Sequence, residues 1–191
     1  MALAESNSSS GFSLTEVVVS MGILTTISLG VAQLFALSIN ANQAARGQTS
    51  TTAMAEQKLE QLRALTWGFD LSGSGLPVSD TSTNLSVYPP AQNGSGLNPS
   101  PADSLFQNTP GYVDFLDADG NWLATGIAPP DRAVYVRRWS VTPLPTNPNN
   151  TLILQVLVSP VTNDTARQAS GQRTRLPGDS MLVSVKTRKS L

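Results

Sequence analysis

The chain has 191 residues, of which 13% are charged and 40% hydrophobic, with a net charge of −1. That is room for one domain plus a helix, and the composition is too apolar for a disordered polymer. Cysteine and histidine are both absent, which excludes disulfides, thiolate metal sites, cysteine nucleophiles and the commonest general base and pH switch.

The first eleven residues read as a short, serine-rich polar leader containing Glu5 and no Lys or Arg. Residues 17–39 follow, 23 residues without a charge. At about 1.5 Å per helical residue they are long enough to cross a hydrocarbon core of about 30 Å. Val17, Val18 and Val19 are β-branched, yet helix is expected, because in lipid the backbone must bond internally. Glu16 stands at the lip of this run. A carboxylate is costly beside lipid and is a functional candidate there. Gly22 and Gly30 are eight residues apart, on similar faces of a helix, where small residues let helices approach closely. An ordinary secretory signal fits less well, since it has a basic start and a shorter apolar core.

Gly11-Phe12-Ser13-Leu14-Thr15-Glu16 running into this apolar segment resembles the cleavage and methylation signature of type IV prepilins and type II secretion pseudopilins. The resemblance covers about 30 of the 191 residues. It implies cleavage by a prepilin peptidase between Gly11 and Phe12, methylation of the new amine on Phe12, and a role for Glu16 in processing and subunit docking. It also implies helix packing at Gly22 and Gly30 and a pilin-like α+β fold, in which one long helix packs on a small antiparallel sheet. The physical logic stands beside it. A cut before Phe12 leaves an amine four residues from Glu16, and a buried carboxylate needs a partner. The amine of one subunit can neutralise Glu16 of its neighbour and set the register between them. The alternative is a plain interfacial acid at a helix end.

Residues 40–65 are expected to continue the helix in water. Ala55, Leu59, Leu62 and Thr66 follow a four-three-four spacing that should bury against a sheet. Glu56 and Glu60 are placed on the solvated side, with Lys58 and Arg63 nearby. Gly47, amid Ser50, Thr49, Thr51 and Thr52, is a soft spot where the helix could bend. The stretch from Ala53 to Arg63 resembles the same region of the PilV minor pilin and GspI minor pseudopilin groups. The expected layout is a leader at 1–11, a transmembrane or filament-core helix at 12–40, its amphipathic continuation at 41–67, and a β head at 68–191.

Trp67-Gly68-Phe69 should end the helix. Residues 70–110, rich in Ser, Gly, Asn and Pro, read as a long loop with at most one short strand near 85–88, a place to look for partner contacts. Asp-Gly at 119–120, between apolar runs, predicts a hairpin over 112–123. Asp117, Asp119 and Asn121 suggest calcium, but Gly120 falls too early for an EF-hand loop. Residues 133–141 form the clearest strand and should be central. Tyr135, Arg137, Trp139 and Val141 share one face, with Val134, Val136 and Arg138 on the other. One arginine should snorkel or pair with an aspartate of the hairpin. Arg137-Arg138-Trp139 also resembles a strand of PilV-like heads. Residues 152–158 and 181–186 are further strands, with 163–178 a polar loop between them. About four antiparallel strands should then pack on the helix.

Charge is unevenly spread. Residues 1–131 hold eleven acids against Arg46, Lys58 and Arg63, while residues 132–191 hold nine Lys and Arg against Asp164 and Asp179. That asymmetry would attract copies head to tail, or simply leave two solvated faces. The resemblance implies a structural subunit of a type IV pilus, held in the inner membrane with its head in the periplasm. Its implied partners are other pilins or pseudopilins, the prepilin peptidase and the inner-membrane assembly platform, with no cofactor and no metal. A minor pseudopilin is the near alternative. A pilus-tip module for adhesion or DNA uptake is the other, motivated by the basic last 60 residues. No catalytic motif is present, and the chain is expected not to be an enzyme.

Overall fold

A computed structural model describes residues 11–189 of the chain; of the leader expected at 1–11, residues 1–10 lie outside that range. The first element is α1, Leu14–Ala64, 51 residues long. It passes through Gly47 without a break, so the expected soft spot does not interrupt it. The chain divides into two compact units, one ending at Gln43 and the other beginning at Ala44.

In the second unit, α1 is followed by β1 (Trp67–Phe69), β2 (Pro77–Ser79), β3 (Thr83–Asn84) and β4 (Ala91–Gln92). Then come β5 (Val113–Leu116), β6 (Trp122–Ala124), β7 (Tyr135–Pro143) and β8 (Thr151–Pro160). A second helix, α2 (Val161–Ser170), precedes the last strand, β9 (Ser180–Thr187). The main sheet is antiparallel with five strands in the order β6-β5-β7-β8-β9, one more than the four expected; β1-β2 and β3-β4 are separate two-stranded pairs. The fold is α+β, with the C-terminal part of α1 packed on this sheet.

The packing follows the alternation of the strands. Trp139 and Val141 of β7 join Leu152, Leu154, Val156 and Val158 of β8 in one buried cluster with Ala55, Leu59 and Leu62 of α1. These leucines and valines are essentially closed to solvent. Each such side chain contributes roughly 1.5–3 kcal/mol by leaving water. Thr66, expected at the end of the helical stripe, lies beyond the helix and is exposed.

Three expectations are corrected. Residues 70–110 are not one structureless loop: they hold β2, β3 and β4, and their Leu85 and Leu97 plug the core. Local hydrogen bonds order the stretch. Asp80 Oδ1 accepts the backbone N–H of Ser82 (3.1 Å) and Thr83 (3.0 Å), and Asn84 Oδ1 accepts that of Ser86 (3.0 Å), an alternative that turns offer in place of a ladder. Gly94 is forced by close approach, since a Cβ there would lie 2.0 Å from the Cα of Asn84. Lys58 is not near the solvated side but buried, at 1% exposure. The polar loop expected from 163 contains α2, which starts after Pro160 and ends at Gly171 in the left-handed conformation. Pro before a helix and Gly after it are start and stop signals, respectively. The apolar period was missing because the buried residues of α2 are Asp164 and Arg167.

Candidate functional site

Gly11 and Phe12 precede the first helical residue, Leu14, and Phe12 is 82% exposed. Val17 N–H donates to Ser13 O at 3.2 Å, so Ser13 sits where the helix begins. Ser13 and Glu16 have the S-x-x-E spacing of a capping box, a helix-start signal that sequence reading passed over. In the structure the Ser13 hydroxyl instead meets Thr15 Oγ1 at 2.7 Å. Glu16 lies in the first turn of α1, where the helix dipole favours an acid.

The apolar segment is open on every side. Val17, Met21, Leu24, Ile27, Leu34 and Phe35 are all exposed, and α1 contains a stretch long and apolar enough to cross a membrane. A helix that is apolar all round needs a nonaqueous cover. Its two threonines bond back to the helix: Thr25 Oγ1 donates to Met21 O (2.7 Å) and Thr26 Oγ1 to Gly22 O (2.9 Å), which lowers their demand for water. A Cβ added at Gly22 or Gly30 would meet nothing within 4 Å. Among the described residues, their small size therefore serves no contact.

In the second unit the notable chemistry lies on β7. Arg137 and Arg138 are neighbours, so their side chains leave opposite faces of the sheet. Both are buried, at 2% and 1% exposure. On the α1 side, Arg137 forks onto Asp114 of β5, Nε to Oδ1 at 2.9 Å and Nη2 to Oδ2 at 3.0 Å. Its Nη1 donates to Met54 O (3.1 Å) and Gln57 Oε1 (3.0 Å) of α1. Lys58 Nζ lies 2.8 Å from Asp114 Oδ2 and 4.2 Å from the centre of the Trp139 ring, and it donates to Leu85 O. The expected pairing of one arginine with a hairpin aspartate is thus found, with a lysine added to it.

On the other face, Arg138 forks onto Asp164 of α2, with both contacts at 2.7 Å. Asn108 Oδ1 accepts from Arg138 Nε at 2.9 Å and from Nη2 at 2.6 Å. Arg167 bridges onward, 3.3 Å from Asp164 Oδ1 and in contact with Asp179 Oδ2. Three arginines of the basic C-terminal part are therefore consumed in buried pairs rather than presented to solvent. At the hairpin turn Asp117 Oδ1 accepts from the N–H of Asp119 (2.9 Å) and Asn121 (2.8 Å), so these residues shape a turn.

Burial lowers the pKa of Lys58 from 10.5 to about 8; Asp114 opposes this and Arg137 adds to it. Burial is the largest cause, and the Arg137 charge cancels part of what Asp114 supplies. Unfolded, Lys58 keeps its proton up to about 10.5; folded, it releases it near 8. Between those values the unfolded chain binds more protons, so stability should rise with pH. Urea melts from pH 7 to 10 should show a gain on the order of 2–3 kcal/mol. The gain should vanish in Lys58→Met. A wild type whose pH slope equals that of the variant would refute a buried, titrating lysine.

Comparison with family models, curated proteins and solved structures finds no match to the chain.

Proposed function

We propose that this chain is a minor pilin-like subunit that a prepilin peptidase matures and that takes part in assembly of a type IV pilus. One coincidence carries the reading. Gly11 and Phe12 stand just ahead of a helix that starts at Leu14, Glu16 occupies its first turn, and the apolar surface behind them is open all round. A peptidase needs its bond in extended, accessible backbone, and residues 11–13 are not helical and are exposed. An assembly helix needs to trade lipid for like neighbours at little cost, which an uncharged, mostly apolar surface with satisfied threonines allows.

The steps are these. Residues 17–39 hold the precursor in the inner membrane with the head in the periplasm. The peptidase cuts between Gly11 and Phe12 and methylates Phe12. The assembly platform draws the helix out of the bilayer. In the filament, Glu16 meets the amine of a neighbour, and Gly22 and Gly30 let helices close on one another. The subunit's role is assembly, not catalysis.

The test is mass spectrometry of the N-terminus from native membranes, with and without the prepilin peptidase. The expected mature chain begins at methylated Phe12 and is lost without the peptidase, or when Gly11 is replaced by valine. An intact leader in both strains, or a cut near Asn42, overturns the proposal.

A further inference from the structure

Strand β9 is the edge of the five-stranded sheet, and along Met181 to Thr187 it pairs only with β8 among the described residues. Its hydrogen-bond phase can be read at its end. Arg188 N–H donates inward to Asn150 O (2.8 Å), and Lys189 N–H donates the other way, to Trp67 O (3.2 Å). Alternation then turns the N–H and C=O of Val183, Val185 and Thr187 toward the open edge. Beside that edge runs a groove of about 660 Å³, walled by the last turn of α1 (Glu60, Arg63), by β1 and by Val185, Lys186 and Thr187. Side chains from both faces of β9 line it, so the groove wraps the edge itself.

Exposed edges are usually guarded by a lysine standing in solvent. Here Lys186 bends back and donates to Arg63 O at the end of α1, so it does not stand across the edge. Val183 and Val185 are 56% and 59% exposed, an apolar rail alongside unpaired backbone groups. The wall carries Arg63, Lys186 and Lys189 against Glu60, whose Oε1 accepts from Arg63 Nη1 at 2.9 Å, so Lys186 and Lys189 carry the uncompensated charge. A second copy pairing through the same groove would set its own lysines against these. A strand bearing acidic side chains would meet complementary charge instead.

We propose that this groove receives an extended, acidic segment of a partner protein, which adds a strand to β9. Backbone bonds to Val183, Val185 and Thr187 would supply affinity, and the cations would select the acid. The proposal concerns the head and does not depend on how the N-terminus is processed.

The test uses the full chain in lipid nanodiscs, panned against short random peptides displayed on phage. Enriched peptides should alternate β-branched residues and carry Asp or Glu. Val185→Pro removes only an outward N–H, which an edge strand tolerates. It should weaken binding of the enriched peptides by about tenfold or more, while Val185→Thr should not. Thr187→Pro removes another outward N–H and serves if Val185→Pro lowers the melting temperature. No enrichment, lysine-rich binders, or binding unchanged by either proline would overturn the proposal. So would a dimer in ultracentrifugation that Val185→Pro dissociates, which would assign the edge to a second copy.

Discussion

Asp114→Asn should lower the stability of the head by about 3–5 kcal/mol, because it strands two buried cations. Asp114 is fully buried and is the shared partner of Arg137 and Lys58. Asparagine can still accept a hydrogen bond, but it cannot offset two positive charges in a medium that screens poorly. For a unit of this size the loss corresponds to a fall of roughly 10 °C in melting temperature. Calorimetry of the full chain measures it. A companion variant separates charge from packing. Replacing Lys58, Asp114 and Arg137 together by Met, Leu and Met should recover most of the loss, since apolar isosteres often match a buried ion cluster. If the single change costs under about 1 kcal/mol, the cluster is wetter than its burial indicates.

Asp164→Asn should act on the opposite face and act locally, at a cost of about 3 kcal/mol. It leaves Arg138 and Arg167 facing each other, with Asp179 as the remaining carboxylate. Helix α2 packs on β7 and β8 and buries polar rather than apolar side chains. Besides the arginine pairs, Asn163 Nδ2 donates to Pro177 O (2.8 Å) and Asp179 Oδ1 (3.1 Å), and Val161 N–H to Val134 O (2.9 Å). Hydrogen exchange should therefore show the amides of Val161–Ser170 losing protection while β7 and β8 keep theirs, the behaviour of a sub-global opening. Uniform loss of protection across the sheet would show instead that α2 is integral to the core. The two aspartates thus test the two sides of one strand. Arg137 ties β7 to α1, and Arg138 ties it to α2.

The same pair bears on what the head offers to partners. Arg137 and Arg138 are spent inside the fold, and Arg173 is tied to Asp103 at 2.5 Å. The basic C-terminal part therefore presents less charge than its sequence suggests. Arg132 and Arg175 remain exposed elsewhere, while Lys186, Arg188 and Lys189 lie at the end of β9 near β1. Arg188 is itself stacked on the Trp67 ring at 3.6 Å, so the positive charge at this edge is largely held in place.

Much of the architecture was legible because it is written in period and run length. Twenty-three uncharged residues specify a helix in any apolar medium. Alternation at 152–158 and 181–186 specifies strands with one buried face, and Asp119-Gly120 specifies the hairpin. The central place of β7 followed from its apolar residues on both faces.

What only the tertiary structure decided were matters of partnership between distant residues. Lys58 looks like a surface lysine, because helix propensity and charge say nothing about Asp114, 56 residues away. It is buried because a carboxylate, a carbonyl and the Trp139 ring converge on it. Helix α2 was hidden because ion pairs, not an apolar stripe, hold it to the sheet. The 70–110 stretch was read as loop because its order comes from side-chain caps and two leucines reaching the core. Hydrophobic period is a local property and shows in sequence; charge pairing across a fold is not and does not.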